Sequence, residues 1–303
     1  MFSRRHPYLF FILLFTTIFF TGVILLSLIF LIGSKTSDLE FGEKVGIIEV
    51  TGPITESKEV LAQLKKFREE EAVKAILMRI NSPGGGVGPS QEIYREIRKT
   101  IKKKNVFTSM GSIAASGGYY IAAGTDGIMA NPGTITGSIG VIIGYTNFQD
   151  IFKKIGLVPI VFKSGEFKDM GSPVRDMTAK EKKLFQVFVD KIHQQFVQDV
   201  AQGREMELDA VKQLANGRIF TGEEAKDLGL VDRLGNLEDA VEWAGRSAGI
   251  EGEIGTVYGK SKSFSLMELL RSAIQSTGLL DPYLKIQYRY AVPHGESSFI
   301  KKN

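Results

Sequence analysis

Residues 75–110, AILMRINSPGGGVGPSQEIYREIRKTIKKKNVFTSM, decide the fold. Ala75–Ile80 is a short continuous apolar run, broken only by Arg79, and reads as a buried strand. Asn81-Ser82-Pro83-Gly84-Gly85-Gly86 must turn. Pro89 to Lys104 then has helical spacing, with Ile93, Ile97 and Ile101 in step. Val106–Met110 is the next strand. Upstream, Val45–Val50 is a strand stopped by Gly52-Pro53, and Ser57 to Glu70 is a helix with Val60, Leu61, Leu64 and Phe67 on one side. Strand, helix, strand, Gly-rich loop, helix, strand implies βαβ crossovers and a mostly parallel sheet in an α/β domain.

Downstream the alternation continues. Ala115–Ala123 reads as a short helix, and Gly127–Ala130, Ser138–Ile143 and Pro159–Lys163 as strands. Thr178 to Gln202 is a long amphipathic helix, with Thr178 as N-cap and Glu181 as its capping-box partner. Leu184, Val187, Phe188, Ile192, Phe196 and Val200 mark its buried side. Helices near 208–215 and 237–248 flank the strand-like Leu230–Val231. Beyond Gly259 comes one amphipathic helix, 266–274, and then a weakly patterned tail.

The N-terminus differs from all of this. Tyr8 to Ile32 carries no charge over 25 positions, beyond the roughly 20 apolar residues a membrane-spanning helix needs. A cleavable signal core is usually about 7–15 residues, and Gly33-Ser34-Lys35 is a poor cleavage site. The run is apolar on every face, which disfavours a soluble core helix. Arg4 and Arg5 precede it and Asp38, Glu40 and Glu43 follow. The positive-inside rule keeps the N-terminus cytoplasmic and sends the rest across. The expected organisation is a cytoplasmic stub and transmembrane anchor over 1–34, a linker over 35–43, one domain over 44–258 and an appendage over 259–303.

Composition narrows the chemistry. The chain has 303 residues, no Cys, three His and a formal net charge of +4. That excludes disulfides, thiol nucleophiles and Cys-ligated metals. Three scattered His (His6, His193, His294) make neither a zinc site nor a Ser-His-Asp triad, so no metal and no cofactor is expected. The charge excess is too diffuse to imply nucleic acid.

Two segments can carry a reaction. In Met110-Gly-Ser-Ile-Ala-Ala-Ser116-Gly-Gly-Tyr-Tyr120 a strand runs through small residues into Ser116 and a helical stretch. Ser116 suits a nucleophile whose oxyanion is held by the Gly117 N–H; the alternative is a plain N-cap serine. Gly84-Gly85-Gly86 leaves backbone N–H groups uncovered, suiting an oxyanion hole or a main-chain grip on an extended peptide. It follows neither the Walker nor the dinucleotide spacing. A serine needs a base, and a neutral lysine can serve. The loop 163–173 offers Lys163 and Lys168, and the residues alone do not choose between them.

Together, Arg79 to Gly86, Ala114 to Ala122, Thr136-Gly-Ser-Ile-Gly-Val141, and Lys163-Ser-Gly165 through Lys168-Asp169 resemble the signal peptide peptidase A family of bacterial membrane serine proteases, in its short single-repeat form. The similarity runs from about Val45 to about Ala248. The resemblance implies a fold of the Clp protease/crotonase group and a Ser–Lys dyad. Ser116 would be the nucleophile, Lys168 the general base and Ser138 the residue orienting the lysine. Gly117 with Gly85 or Gly84 would form the oxyanion hole. It further implies degradation of remnant signal peptides at the bacterial cytoplasmic membrane. It also implies homo-oligomeric rings whose Ser and Lys come from neighbouring protomers. The competing readings are a crotonase-like acyl-CoA enzyme, for which no acid or base carboxylate is evident at the Gly-rich loop, and a non-catalytic membrane scaffold.

Overall fold

The structure, a computed structural model, describes residues 7–36, 42–259 and 286–289. The chain divides into two units, residues 1–42 and 43–303. The first contains helix α1, Pro7–Thr36. Its described side chains, 8–9 and 11–27, are exposed. Among the described residues no helix is long and apolar enough to cross a membrane. The spanning role expected from the sequence therefore does not follow from the described part of α1.

The second unit is built on a mostly parallel sheet. Its strands are β1 (Lys44–Thr51), β2 (Val73–Ser82), β4 (Asn105–Ala115), β5 (Gly127–Ala130), β9 (Arg233–Leu234) and β10 (Gly255–Tyr258), in the order β10-β1-β2-β4-β5-β9. Each neighbouring pair is parallel, with Ile47 opposite Leu77 and Leu77 opposite Phe107. The crossovers are helices α2 (Lys58–Glu69), between β1 and β2, and α3 (Val87–Thr100), between β2 and β4. Strand β2 alternates between two cores. Ile76, Met78 and Ile80 join Leu64, Phe67, Ile93 and Ile97 on one face, and Ala75 and Leu77 join Ala240, Val241 and Ala244 on the other. The second face is covered by helix α9 (Leu237–Ser247). A sheet buried on both sides needs apolar residues at consecutive positions, which is why β2 reads as a continuous run.

Strand β4 is longer than its sequence signal. Its first half pairs with β5, and its second half, Ile113–Ala115, pairs with β6 (Ile135–Gly137), which in turn pairs antiparallel with β8 (Ile219–Phe220). Helix α4 (Gly117–Ala122) leaves directly from the end of β4. A second, antiparallel sheet has the order β3-β11-β7, from β3 (Gly84–Gly86), β11 (Ile286–Arg289) and β7 (Ile142–Ile143). Helices α5 (Gln149–Lys154) and α6 (Ala179–Gly203) follow, then α7 (Leu208–Leu214) and α8 (Gly222–Asp227). Thr178 caps α6 through the capping box with Glu181, as read from the sequence.

Three expectations change. The apolar run Pro159–Lys163 forms no strand: Val158, Ile160 and Phe162 are 80%, 78% and 95% exposed. A strand needs a partner edge, and this run has none among the described residues. Leu230–Val231 is buried but precedes the strand, which is Arg233–Leu234. Ser138–Ile143 keeps only Ile142–Ile143 as strand. The helix expected over 266–274 lies outside the described residues.

Candidate active site

Ser116 stands at the elbow between β4 and α4. Its backbone has φ 54° and ψ −116°, a conformation non-glycine residues rarely adopt, with a cost of roughly 1–3 kcal/mol. Two bonds hold it there: Ser116 N–H donates to Gly137 O at 2.8 Å, and Ser116 O accepts from Tyr120 N–H at 2.8 Å. The residue is 1% exposed, and its Oγ is buried with no hydrogen-bond partner among the described residues. Ser116 occupies the N-cap position, but its side chain makes no capping bond. The simple capping alternative is thereby removed. A strained strand-to-helix turn that presents a free serine hydroxyl is the geometry of a nucleophile.

The glycines on either side are required by space. A Cβ at Gly117 would lie 2.7 Å from Ser90 Oγ, 3.1 Å from Gly85 N and 3.3 Å from Gly84 Cα. Gly117, one candidate oxyanion donor, therefore packs against Gly85, the other. Gly85 is itself pressed on the segment after β1: Ile54 N–H donates to Gly84 O at 2.9 Å, and Gly86 N–H donates to Ile54 O at 2.7 Å. Gly84 has φ 99° and its N–H donates to Ser82 Oγ at 3.1 Å. Ser82 is a supporting residue that the sequence reading did not single out. An extended segment of the chain, β11, lies antiparallel to this turn with Tyr288 opposite Gly85 and Arg289 opposite Gly84. The turn thus presents a usable strand edge.

Ser138 adjoins the same elbow. It follows Gly137, the residue bonded to Ser116, and has φ 51° with 6% exposure. Its N–H donates to Arg218 O at 2.8 Å. A cavity of about 520 Å³ opens at Ser138, lined by Val141, Ile142, Asp190 and His193 among others. His193 is half-buried, and its Nε2 has no partner among the described residues.

Ser116, Gly117, Gly84, Gly85 and Ser138 are thus brought together. Lys168 is not. It sits on an exposed turn, its N–H donating to Gly165 O at 3.2 Å. Among the described residues its ammonium has no hydrogen bond or ion pair, with Ser138 or any other group. The rival Lys163 is engaged: its Nζ donates to Asp169 Oδ1 at 2.7 Å and to Glu166 O at 2.9 Å.

The segment bearing both lysines is fastened to α6 by charge. Arg175 bonds Glu181 and Asp169 at once. Arg175, then the Thr178 N–H, holds the Glu181 carboxyl at about 2, below its ordinary 4.5. A depressed carboxylate stabilises the fold above its unfolded value and loses that contribution as pH falls through the folded one. The melting temperature should therefore fall between pH 4.5 and about 2, and fall less in Glu181→Gln; equal slopes in thermal melts would contradict this.

Comparison with known proteins gives the family. The family model described as Peptidase family S49 matches residues 98–251, about half of the chain, and spans Ser116, Ser138 and Lys168. The Clp protease model matches residues 41–136, spanning the Gly84–Gly86 turn and Ser116. The chain is similar to "Putative protease slr0021" of Synechocystis sp., 48% identical over 69% of this chain and 76% of that protein. It is also 48% identical to "Putative signal peptide peptidase SppA" of Enterococcus faecium, over 60% of this chain and 53% of that protein, so it spans about half of that relative. "Serine protease SPPA, chloroplastic" of Arabidopsis thaliana is 32% identical over 78% of this chain and 33% of that protein. With the family match running through the strained serine and the lysine-bearing turn alike, the chain belongs to peptidase family S49 and is a serine endopeptidase.

Proposed function

We propose that the enzyme cleaves peptides through a Ser116–Lys168 dyad, and that its substrates are remnant signal peptides met at the membrane. The observation that carries the nucleophile is the Ser116 Oγ, buried without a partner among the described residues, at a strained elbow whose next residue, Gly117, packs against Gly85. In this reaction the neutral Lys168 amine takes the Ser116 proton as Oγ attacks the scissile carbonyl. The Gly117 and Gly85 N–H groups hold the oxyanion. The lysine ammonium then protonates the leaving amine, and water resolves the ester. Because only the neutral amine accepts a proton, activity rises with pH.

The lysine that serves one Ser116 comes from a neighbouring copy of the chain. Two features support this: Lys168 is exposed and unpaired among the described residues, and the run just before it exposes Val158, Ile160 and Phe162. Such apolar exposure is what an interface covers. Helix α1 anchors the enzyme as a single pass, N-terminus inside and catalytic unit outside. This rests on the uncharged run Tyr8–Ile32, longer than the roughly 20 apolar residues a spanning helix needs. Apolar substrates released into the bilayer would meet it there.

Mixing tests the shared site. Ser116→Ala and Lys168→Ala proteins, each inactive, should regain a substantial part of signal-peptide cleavage when dissociated and reassembled together. Two inactive parents whose mixture stays inactive would place both residues in one chain.

A further inference from the structure

We propose that Arg175 is a positioning residue for Lys168: by clamping Asp169 it fixes the turn that carries the lysine and keeps the Asp169 carboxylate off the lysine amine. This rests on the reading of Lys168 as the base. The turn has little structure of its own. Between residues 165 and 172 its backbone-to-backbone bonds among the described residues are local: Lys168 N–H to Gly165 O, Met170 N–H to Phe167 O and Ser172 N–H to Asp169 O, at 3.2, 3.1 and 3.0 Å. Such a segment does not hold a general base to the tolerance catalysis needs.

Arg175 supplies what the turn lacks. Its Nε donates to Asp169 Oδ2 at 2.8 Å and its Nη2 to Asp169 O at 3.0 Å. The other side of the fork reaches Glu181, with Nη1 to Oε2 at 3.0 Å and Nη2 to Oε1 at 2.5 Å, while Nη1 also donates to Asp176 O at 2.9 Å. Glu181 is 3% exposed, and its Oε2 also accepts from the Thr178 N–H at 2.8 Å. It lies in the first turn of α6, whose Ile192, Phe196 and Val200 are in the core. The clamp therefore ties the residue next to Lys168 to a rigid helix.

The same bonds set the charge around the amine. The charged groups on the turn are Lys163, Glu166 and Asp169, and Arg175 and Asp176 follow it. The first turn of α6 adds Lys180, Glu181 and Lys182. Every carboxylate among them is occupied: Asp169 by Arg175 and Lys163, Glu166 by Lys180, Asp176 by Asn147, and Glu181 by Arg175. Arg175 first, then Lys163, holds the Asp169 carboxyl well below the usual carboxylate range. An acid freed beside Lys168 would stabilise the ammonium and remove the base. The network lies within one chain, so it acts whichever copy's Ser116 the lysine serves.

The test is kcat/KM against pH for the full chain, with melts, in wild type, Arg175→Ala, Arg175→Lys and Arg175→Ala/Asp169→Asn. Arg175→Ala should move the acid limb up by about one pH unit, with about a tenfold loss at pH 7 that shrinks at higher pH. Adding Asp169→Asn should return the limb to its wild-type position. Arg175→Lys keeps the charge but loses the fork, so kcat should fall several-fold at every pH with the limb in place. If Arg175→Ala does not fold, Arg175→Gln carries the same expectation. A loss equal at every pH and untouched by Asp169→Asn, or no loss, would overturn the inference. Lys168→Ala run in parallel separates the two claims. An active Lys168→Ala defeats the base assignment itself. A dead one beside an unmoved Arg175→Ala profile defeats only the role of Arg175.

Discussion

Ser116→Ala should abolish peptide cleavage and leave a protein at least as stable as wild type. The hydroxyl removed is buried and unpartnered among the described residues, and relieving an unsatisfied buried polar group does not cost stability. Ser116→Gly should be equally inactive and more stable by about 1 kcal/mol. Glycine releases a strain of roughly 1–3 kcal/mol at φ 54°, offset in part by about 0.4–1 kcal/mol of unfolded-state entropy. A structural serine would behave in the opposite way, with stability falling and activity persisting. Lys168→Ala should be as inactive as Ser116→Ala, because members of such a unit fail together. Lys163→Ala should cost only a few-fold, its amine being committed to Asp169. His193→Ala should also stay within a few-fold of wild type; loss of all activity there would make the half-buried imidazole the base. The measurements are kcat/KM on a signal peptide and thermal melts.

Gly85→Ala has the second largest expected effect. A Cβ there would lie 2.2 Å from Ile54 O and 2.5 Å from Ile54 N, so backbone must move. The Ile54–Gly84 and Ile54–Gly86 bonds open, and the Gly85 N–H loses its aim beside Gly117. Removing one oxyanion donor costs about 100- to 1,000-fold in kcat, and Gly85→Ala should fall in that range with KM little changed. Gly88→Ala is the control. Its Cβ meets nothing within 4 Å, and it sits in α3, where alanine gains about 0.5–1 kcal/mol over glycine. Activity kept by Gly85→Ala would show that the turn supplies no donor.

The contrast between these two glycines shows what was legible. The βαβ units announced themselves because β2, buried on both faces, must be apolar at successive positions, and because Ile93 and Ile97 repeat at helical spacing on α3. The capping box at Thr178 and Glu181 was equally plain, since it is a contact between residues three apart. Ser116 and its glycines could be picked as chemistry-bearing from small residues at a strand end. Their proximity could not, because the approach of Gly85 to Gly117 depends on β2 and β4 lying side by side. The run at 158–162 misled for a related reason. Its composition says strand, but a strand also needs a partner edge, which no local pattern encodes. Arg175 was missed outright: on sequence it is one arginine among many, and only the fold shows one guanidinium serving two acids. The placement of Lys168 relative to Ser116 is a matter between copies of the chain in the reading proposed here, beyond what one chain's pattern records.

The pairing of β1 with β10 joins residues 44–47 to 255–258, a long-range contact within the catalytic unit. As the chain is synthesised, β1 gains β2 as a neighbour early, but its other edge stays open while the remaining roughly 200 residues are added, which takes roughly 10–40 s at typical elongation rates. For that interval the backbone groups of Val45 to Ile47 on that side have no strand to bond. That edge is filled only once residues 255–258 have emerged, so the chain is committed to long-range pairing and to the slow folding that goes with it.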